Sequence, residues 1–130
     1  MEREGYVSLW IGNFKSDEEL LKYVELIYTE DGDCLPSQFL QDFNIYMEDF
    51  DEDFIESICL EKEVISIVDL ISGCSYEDVI IPKYENLVNM KSSDNINAGI
   101  LLYNFQYDES VKLVNNDDYK FKFVGTVEYK

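Results

Sequence analysis

The sequence predicts an α+β fold: one domain over residues 1–130, with an antiparallel or mixed sheet of about four strands and about three helices packed mainly on one face. Three observations carry this expectation. Residues 6–12 alternate as a strand does, three segments (17–28, 36–43 and about 63–72) repeat apolar residues at helical spacing, and 101–129 returns to alternation rich in tyrosine and phenylalanine. At 130 residues, with 46% apolar composition, ten tyrosines and eight phenylalanines, the chain can bury a sizeable core, and its composition is not that of a disordered segment. No internal repeat or interdomain linker is visible, and the elements follow the order β-α-α-β-α-β-β.

In the first strand, Val7, Leu9 and Ile11 alternate with Tyr6, Ser8 and Trp10. Both sides carry bulk, which predicts a central strand covered on both faces. Ser16-Asp-Glu-Glu19 has the pattern of a capping box, with early acids suited to the helix dipole, and Leu20, Leu21, Val24, Ile27 and Tyr28 extend a predicted helix over 17–28. Thr29-Glu-Asp-Gly-Asp33 is a turn. Pro36 suits the first turn of a short helix over 36–43 whose buried side carries Phe39, Leu40 and Phe43. A loop through the acidic tract follows. Phe54, Ile58 and Cys59 fit a helix while Ile58 and Leu60 fit a strand; the strand reading is taken for 55–60.

Val64, Ile65, Ile67, Val68 and Ile71 recur at helical offsets ahead of Gly73, which predicts a helix over about 63–72. Ser75–Asp78 begins a short further turn that Pro82 ends, and 83–97 reads as polar connection. Leu101, Tyr103, Phe105 and Tyr107 are expected on one face of the next strand. Tyr119, Phe121, Phe123, Val127 and Tyr129 are expected on one face of the last, after a bend at 115–118.

Charge narrows the partner class. The net charge is −18, divided as −13 over residues 1–60 and −5 over 61–130, and residues 48–56 hold six carboxylates in nine positions. Such a field repels nucleic acid and anionic membrane and attracts a cationic protein surface, although solubility alone also favours acid. Histidine is absent, which excludes most triads and His-containing metal sites. The six glycines are isolated, so no phosphate-binding loop exists, and there is no Gly-x-Ser-x-Gly elbow. The acids cluster instead of standing alone in apolar surroundings, an arrangement unsuited to carboxylate catalysis. Asp49-x-Asp51-x-Asp53 opens like a calcium loop, but Phe54 occupies the position that needs glycine and Leu60 the one that needs glutamate. Neither catalytic residues nor cofactor nor metal site is therefore expected.

Cys34, Cys59 and Cys74 are odd in number and lack a Cys-x-x-Cys spacing, which reads as free thiols in a reducing compartment. With no signal-peptide pattern at Met1–Gly5 and no membrane-length apolar run, the expected location is cytoplasmic. Trp10 fits either a core residue or an interface anchor. Tyr46, Phe50 and Phe54 within the acidic run fit either rings that pin the loop or rings that grip a partner.

The stretch Val7-Ser-Leu-Trp-Ile-Gly-Asn-Phe14, running into a Ser-capped acidic helix, resembles the opening of the immunity protein 22 family of bacterial polymorphic toxin systems. Tyr28–Asp33, Pro36–Phe39, Asp51–Glu56 and the closing Phe123-Val-Gly125 with Tyr129 are similar to that family's pattern in order and spacing. The resemblance implies a small α+β protein encoded beside a toxin, which binds the toxin domain and protects the producing cell. Combined with the charge, it predicts a basic, nuclease-type toxin as partner, met by Tyr46, Glu48, Asp49, Asp51, Glu52, Asp53 and Glu56, with Asp31 and Asp33. The alternative is an acidic mimic of nucleic acid that inhibits a DNA- or RNA-binding protein.

Overall fold

The computed structural model describes residues 2–87 and 95–130. Its elements are β1 (Glu2–Asn13), α1 (Asp17–Val24), β2 (Ile27–Tyr28), β3 (Cys34–Leu35), α2 (Gln38–Asp42), β4 (Ile55–Val64), α3 (Ile67–Ile71), α4 (Glu77–Leu87), β5 (Ile96–Phe105), β6 (Leu113–Asn115) and β7 (Lys120–Glu128). Five strands form an antiparallel sheet in the order β4-β5-β1-β7-β6, and β2 with β3 forms a separate hairpin.

The alternating first strand is central, as its two bulky sides predict. Val7, Leu9 and Ile11 pack with Ile67, Leu70, Ile71, Ile80 and Tyr84 of α3 and α4. Trp10 packs on the opposite face with Leu20, Tyr23 and Val24 of α1 and with Phe39, Leu40 and Phe43 around α2. The helices thus divide between the two faces, and the expectation of helices mainly on one face is corrected. A strand whose two sides are both apolar can be buried only between two layers.

Hydroxyl caps set the helix starts. Ser16, Ser37 and Ser66 accept from the backbone N–H groups of Glu19, Leu40 and Val68 at 3.2, 3.2 and 3.1 Å. Ser37 places Pro36 just outside α2, and Ser66 delays α3 because β4 continues past residue 60. α1 stops at Val24, short of the expected 28, because Ile27 and Tyr28 pair with Leu35 and Cys34 across a turn that Gly32 permits at φ 85°. Pro82 does not end a turn but stands in the second turn of α4. It is exposed, as is Asp78, whose carbonyl loses its helical donor to the proline. The polar connection expected over 83–97 is helix to Leu87 and strand from Ile96, while 88–94 lies outside the described residues.

Two face assignments in the closing strands are also corrected, each by a bulge. Leu101 and Tyr103 join the α3/α4 face, whereas Phe105 and Tyr107 join the Trp10 face. Between them Asn104 adopts φ 58°, and its Oδ1 accepts from Gly5 N at 3.0 Å and from the Tyr129 hydroxyl at 2.5 Å. In β7, Leu9 faces Gly125 but Trp10 faces Phe123, so Val124 is an extra residue. Phe121 is buried on the Trp10 face, with Tyr119 and Phe123 packed against it, while Val127 and Tyr129 lie on the other. A period of two cannot survive an inserted residue. The Tyr84 hydroxyl lies against this irregularity, within reach of the carbonyls of Val7 and Gly125 at 2.9 and 3.1 Å. The bend at 115–118 joins β7 to β6, a three-residue strand that is not among the expected elements.

β1 and β7 approach so closely that a Cβ on Gly12 would lie 1.7 Å from the Lys120 carbonyl oxygen. Gly12→Ala is therefore expected to destabilise the fold by about 3 kcal/mol, at the upper end of overpacking costs. Urea unfolding followed by the emission of the single, fully buried Trp10 measures this; an unchanged midpoint would refute the close approach.

Burial also sets an alkaline limit. Desolvation, reinforced by Asp42 at Tyr23, Cys74 at Tyr84 and Glu56 at Tyr103, holds these phenols well above their ordinary 10.0. Tyr119 is pushed up to about 12 and the Cys74 thiol to about 11, again chiefly by desolvation. The fold favours the protonated forms, so this stabilisation is complete below the unfolded-state values and is lost progressively as pH rises above 9, through about 11 for Cys74 and about 12 for Tyr119 and at still higher pH for the other three phenols. Phenolate absorbance of these buried tyrosines is expected to develop together with loss of near-ultraviolet dichroism; full ionisation of a native fold would contradict it.

Candidate partner-binding groove

The groove exists because two neighbouring strands differ in extent. β4 begins at Ile55, opposite Leu102, but β5 runs on to Phe105, leaving Tyr103–Phe105 without a strand on that side. In place of the missing strand the acidic tract makes two 3-10 turns, Met47–Asp49 and Glu52–Phe54. Asp51 accepts from the backbone of Asp53 at 3.0 Å and holds the second turn. Met47 and Phe50 pack against the Trp10 core and anchor the segment. Tyr46 and Phe54 remain 68% and 42% exposed. The two readings of the rings thus separate by residue: Phe50 pins the loop, and Tyr46 and Phe54 face outward.

Beneath these turns lies a concavity of about 500 Å³. Its carboxylates are Glu48, Asp49, Asp51 and Glu52 from the tract and Glu2 and Glu4 from β1, with Leu26 and Phe54 as apolar wall and Leu102–Phe105 as floor. Arg3, between the two glutamates, turns away: it donates to the Gln106 Oε1 at 2.6 Å and lies 3.7 Å over the Tyr6 ring. Ion pairs found among the described residues, Lys15–Asp118 at 3.3 Å and Lys22–Glu18 at 3.8 Å, involve none of the groove carboxylates. Among the described residues no ion pair reaches these six acids, and together in one concavity they concentrate negative potential at its mouth.

The remaining acids predicted for the site lie apart from it. Asp53 is exposed but does not line the groove. Glu56 accepts from Ser75 N at 3.0 Å and neighbours Tyr103 and Cys74, which ties it to the link between α3 and α4. Asp31 and Asp33 are exposed in the turn of the β2–β3 hairpin. That hairpin borders the groove: Leu26 lines it, and Glu52 beside the Tyr28 phenol raises the pKa of that group. Glu2, Glu4 and Leu26 escaped the sequence reading. The signal for the first two was two acids at alternate positions just upstream of a strand, which places them on one side of the chain.

A second concavity of about 440 Å³ lies beside Phe14, Lys15, Lys22, Tyr23 and Tyr119. Its two phenols donate to the Asp42 carboxylate, Tyr23 at 2.8 Å, and so tie α1 and the start of β7 to α2. Among the described residues no group of three or more His, Cys, Asp or Glu is placed to hold a metal ion. No described helix is long and apolar enough to cross a membrane.

A two-sided α+β domain with an anion-lined, partly apolar groove presents a surface of the kind that binds another polypeptide. Residues 7–130 match the family model described as Immunity protein 22, and the chain belongs to that family. Searches of curated proteins and of solved structures found no match. An immunity-protein family implies a toxin as the cognate partner and neutralisation of that toxin, generally by inhibition without chemistry of its own.

Crowding like charges into one concavity opposes folding. Glu48→Gln/Glu52→Gln is expected to stabilise the isolated protein by about 0.5 kcal/mol at low salt, a gain that disappears near 0.5 M NaCl as screening shortens the range of repulsion. Urea midpoints at the two salt concentrations measure it; an unchanged or lower low-salt midpoint would mean that these acids do not repel one another.

Proposed function

We propose that this protein neutralises a basic, nuclease-type toxin by docking the acidic groove and its surrounding tract on the toxin's cationic face and excluding substrate. The observation that supports this is the set of six carboxylates, Glu2, Glu4, Glu48, Asp49, Asp51 and Glu52, lining one concavity. A toxin that cleaves DNA or RNA needs a cationic groove, and opposite fields steer two proteins together. Speed matters to an inhibitor that must capture its toxin in the cytoplasm of the producing cell before damage accumulates. In this reading Tyr46, Asp53, Glu56, Asp31 and Asp33 extend the anionic surface around the groove. Concentration of acid in one hollow favours this over a nucleic-acid mimic, which would spread carboxylates at phosphate spacing over a broad face.

The test uses the toxin domain encoded beside this protein's gene. Its association rate constant with the wild-type protein is expected to fall at least tenfold between about 20 mM and 500 mM NaCl, and Asp51→Lys/Asp53→Lys to slow low-salt association by a similar factor. Rates insensitive to both changes would remove the electrostatic mechanism. Failure of co-expression to protect cells from that domain would remove the toxin assignment.

A further inference from the structure

Two exposed rings bracket the acidic turns. Tyr46 precedes the first 3-10 turn and Phe54 closes the second, with Glu48, Asp49, Asp51 and Glu52 of the groove between them. Neither ring belongs to either core. Phe54 lines the groove itself, in the same concavity as all six carboxylates, and among the described residues it is the large exposed apolar side chain that does so. Tyr46 lines a small adjoining hollow that shares Asp49 and Phe105 with the groove. The Phe54 backbone is fixed on both sides, by the turn that Asp51 holds and by β4, which begins at the next residue. Apolar residues scattered singly over a surface need no explanation, but a ring held inside an acid-lined concavity is a different arrangement.

We infer that the groove selects arginine over lysine, and that its occupant is a toxin segment whose arginine side chains lie against Phe54 and reach the carboxylates around it. The inference rests on the toxin-binding reading for the identity of the occupant, and deepens it. Charge complementarity alone admits any cation to a hollow lined by six carboxylates. The ring discriminates. A lysine ammonium is compact and strongly hydrated, so carboxylates satisfy it and a neighbouring ring adds little. An arginine guanidinium is planar and weakly hydrated, so its face stacks on an aromatic ring while its edge donates paired hydrogen bonds to carboxylates. Phe54 and the groove acids supply both halves of that contact within one concavity. The chain makes a contact of this kind internally, where Arg3 lies 3.7 Å over the Tyr6 ring while donating to the Gln106 Oε1 at 2.6 Å.

The test compares hexa-arginine and hexa-lysine peptides, equal in length and charge, by isothermal titration at about 50 mM NaCl, where screening is weak. The wild-type protein is expected to bind the arginine peptide about fivefold more tightly. Phe54→Leu is expected to bring the two affinities within about twofold of each other by weakening arginine binding alone, whereas Phe54→Tyr keeps the ring and preserves the preference. Glu48→Gln/Glu52→Gln is expected to weaken both peptides by about threefold or more, which places them in the groove and not elsewhere on an acidic surface. Circular dichroism verifies the fold of each variant, and if Phe54→Leu does not fold the wild-type ratio and the glutamine variant decide. Equal wild-type affinities, a preference that survives Phe54→Leu, or affinities indifferent to Glu48→Gln/Glu52→Gln each overturn the inference. Against the toxin domain encoded beside this gene, folded Phe54→Leu is expected to dissociate about threefold faster or more, and an unchanged rate also overturns it. If the wild-type protein neutralises that domain but shows no arginine preference, the inference falls and the toxin-binding reading stands. If it does not bind that domain while the peptides behave as expected, the toxin assignment falls and the arginine selectivity of the groove stands.

Discussion

The structure depends on burial of β1 from both sides at once. Val7, Leu9 and Trp10 are fully buried, the first two beneath α3 and α4 and the third beneath α1 and α2, while β5 and β7 take the strand's two edges. A strand enclosed in this way has little freedom in register, because slipping it by one residue would exchange the contents of two different cores. Trp10 shows how completely one of them closes. Rings of Phe39, Tyr107, Phe123 and Phe43 lie 5.0 to 5.9 Å from it, and among the described residues its Nε1 has no hydrogen-bond partner. An N–H held among aromatic faces has only weak acceptors, so the packing must offset a polar cost.

The same constraint produces the irregularities and, through them, the surface. Mismatch is absorbed in β7, where Val124 is an extra residue, and at the β1–β5 corner, where residues 3–6 of β1 stand opposite the single residue Asn104. Asn104 then ties the sheet's corner together by accepting from Gly5 and Tyr129. At this corner β5 outruns β4, and the acidic turns fill the vacant position beside it. The groove is thus a consequence of strand pairing, and its carboxylates are carried by a segment anchored through Met47 and Phe50 to the core that β1 organises. Loop acids on such a foundation are presented with less conformational freedom to lose on binding than a disordered acidic tail has.

Much of the fold is legible in the sequence wherever a local signal and the tertiary structure agree. The alternation of residues 6–12 gave a central strand, and Ser16 marked a helix start that the structure retains. Errors arose where a distant partner decided the outcome. Ile27 and Tyr28 continue a helical pattern, yet pairing with residues 34 and 35 makes them a strand. Phe105 and Phe123 keep the period of two with their neighbours, yet each lies beside a bulge that local periodicity cannot register. The candidate site divides in the same way. The tract 48–52 was visible as a run of acid, whereas Glu2 and Glu4 enter the groove only because β1 pairs with the end of β5, some hundred residues away along the chain.

Placing the acid there sets two demands against each other. Repulsion among groove carboxylates lowers the stability of the free protein, and the same field raises the rate at which a cationic partner arrives. Both effects weaken together as salt is added, so stability and association speed should move in opposite directions along one variable.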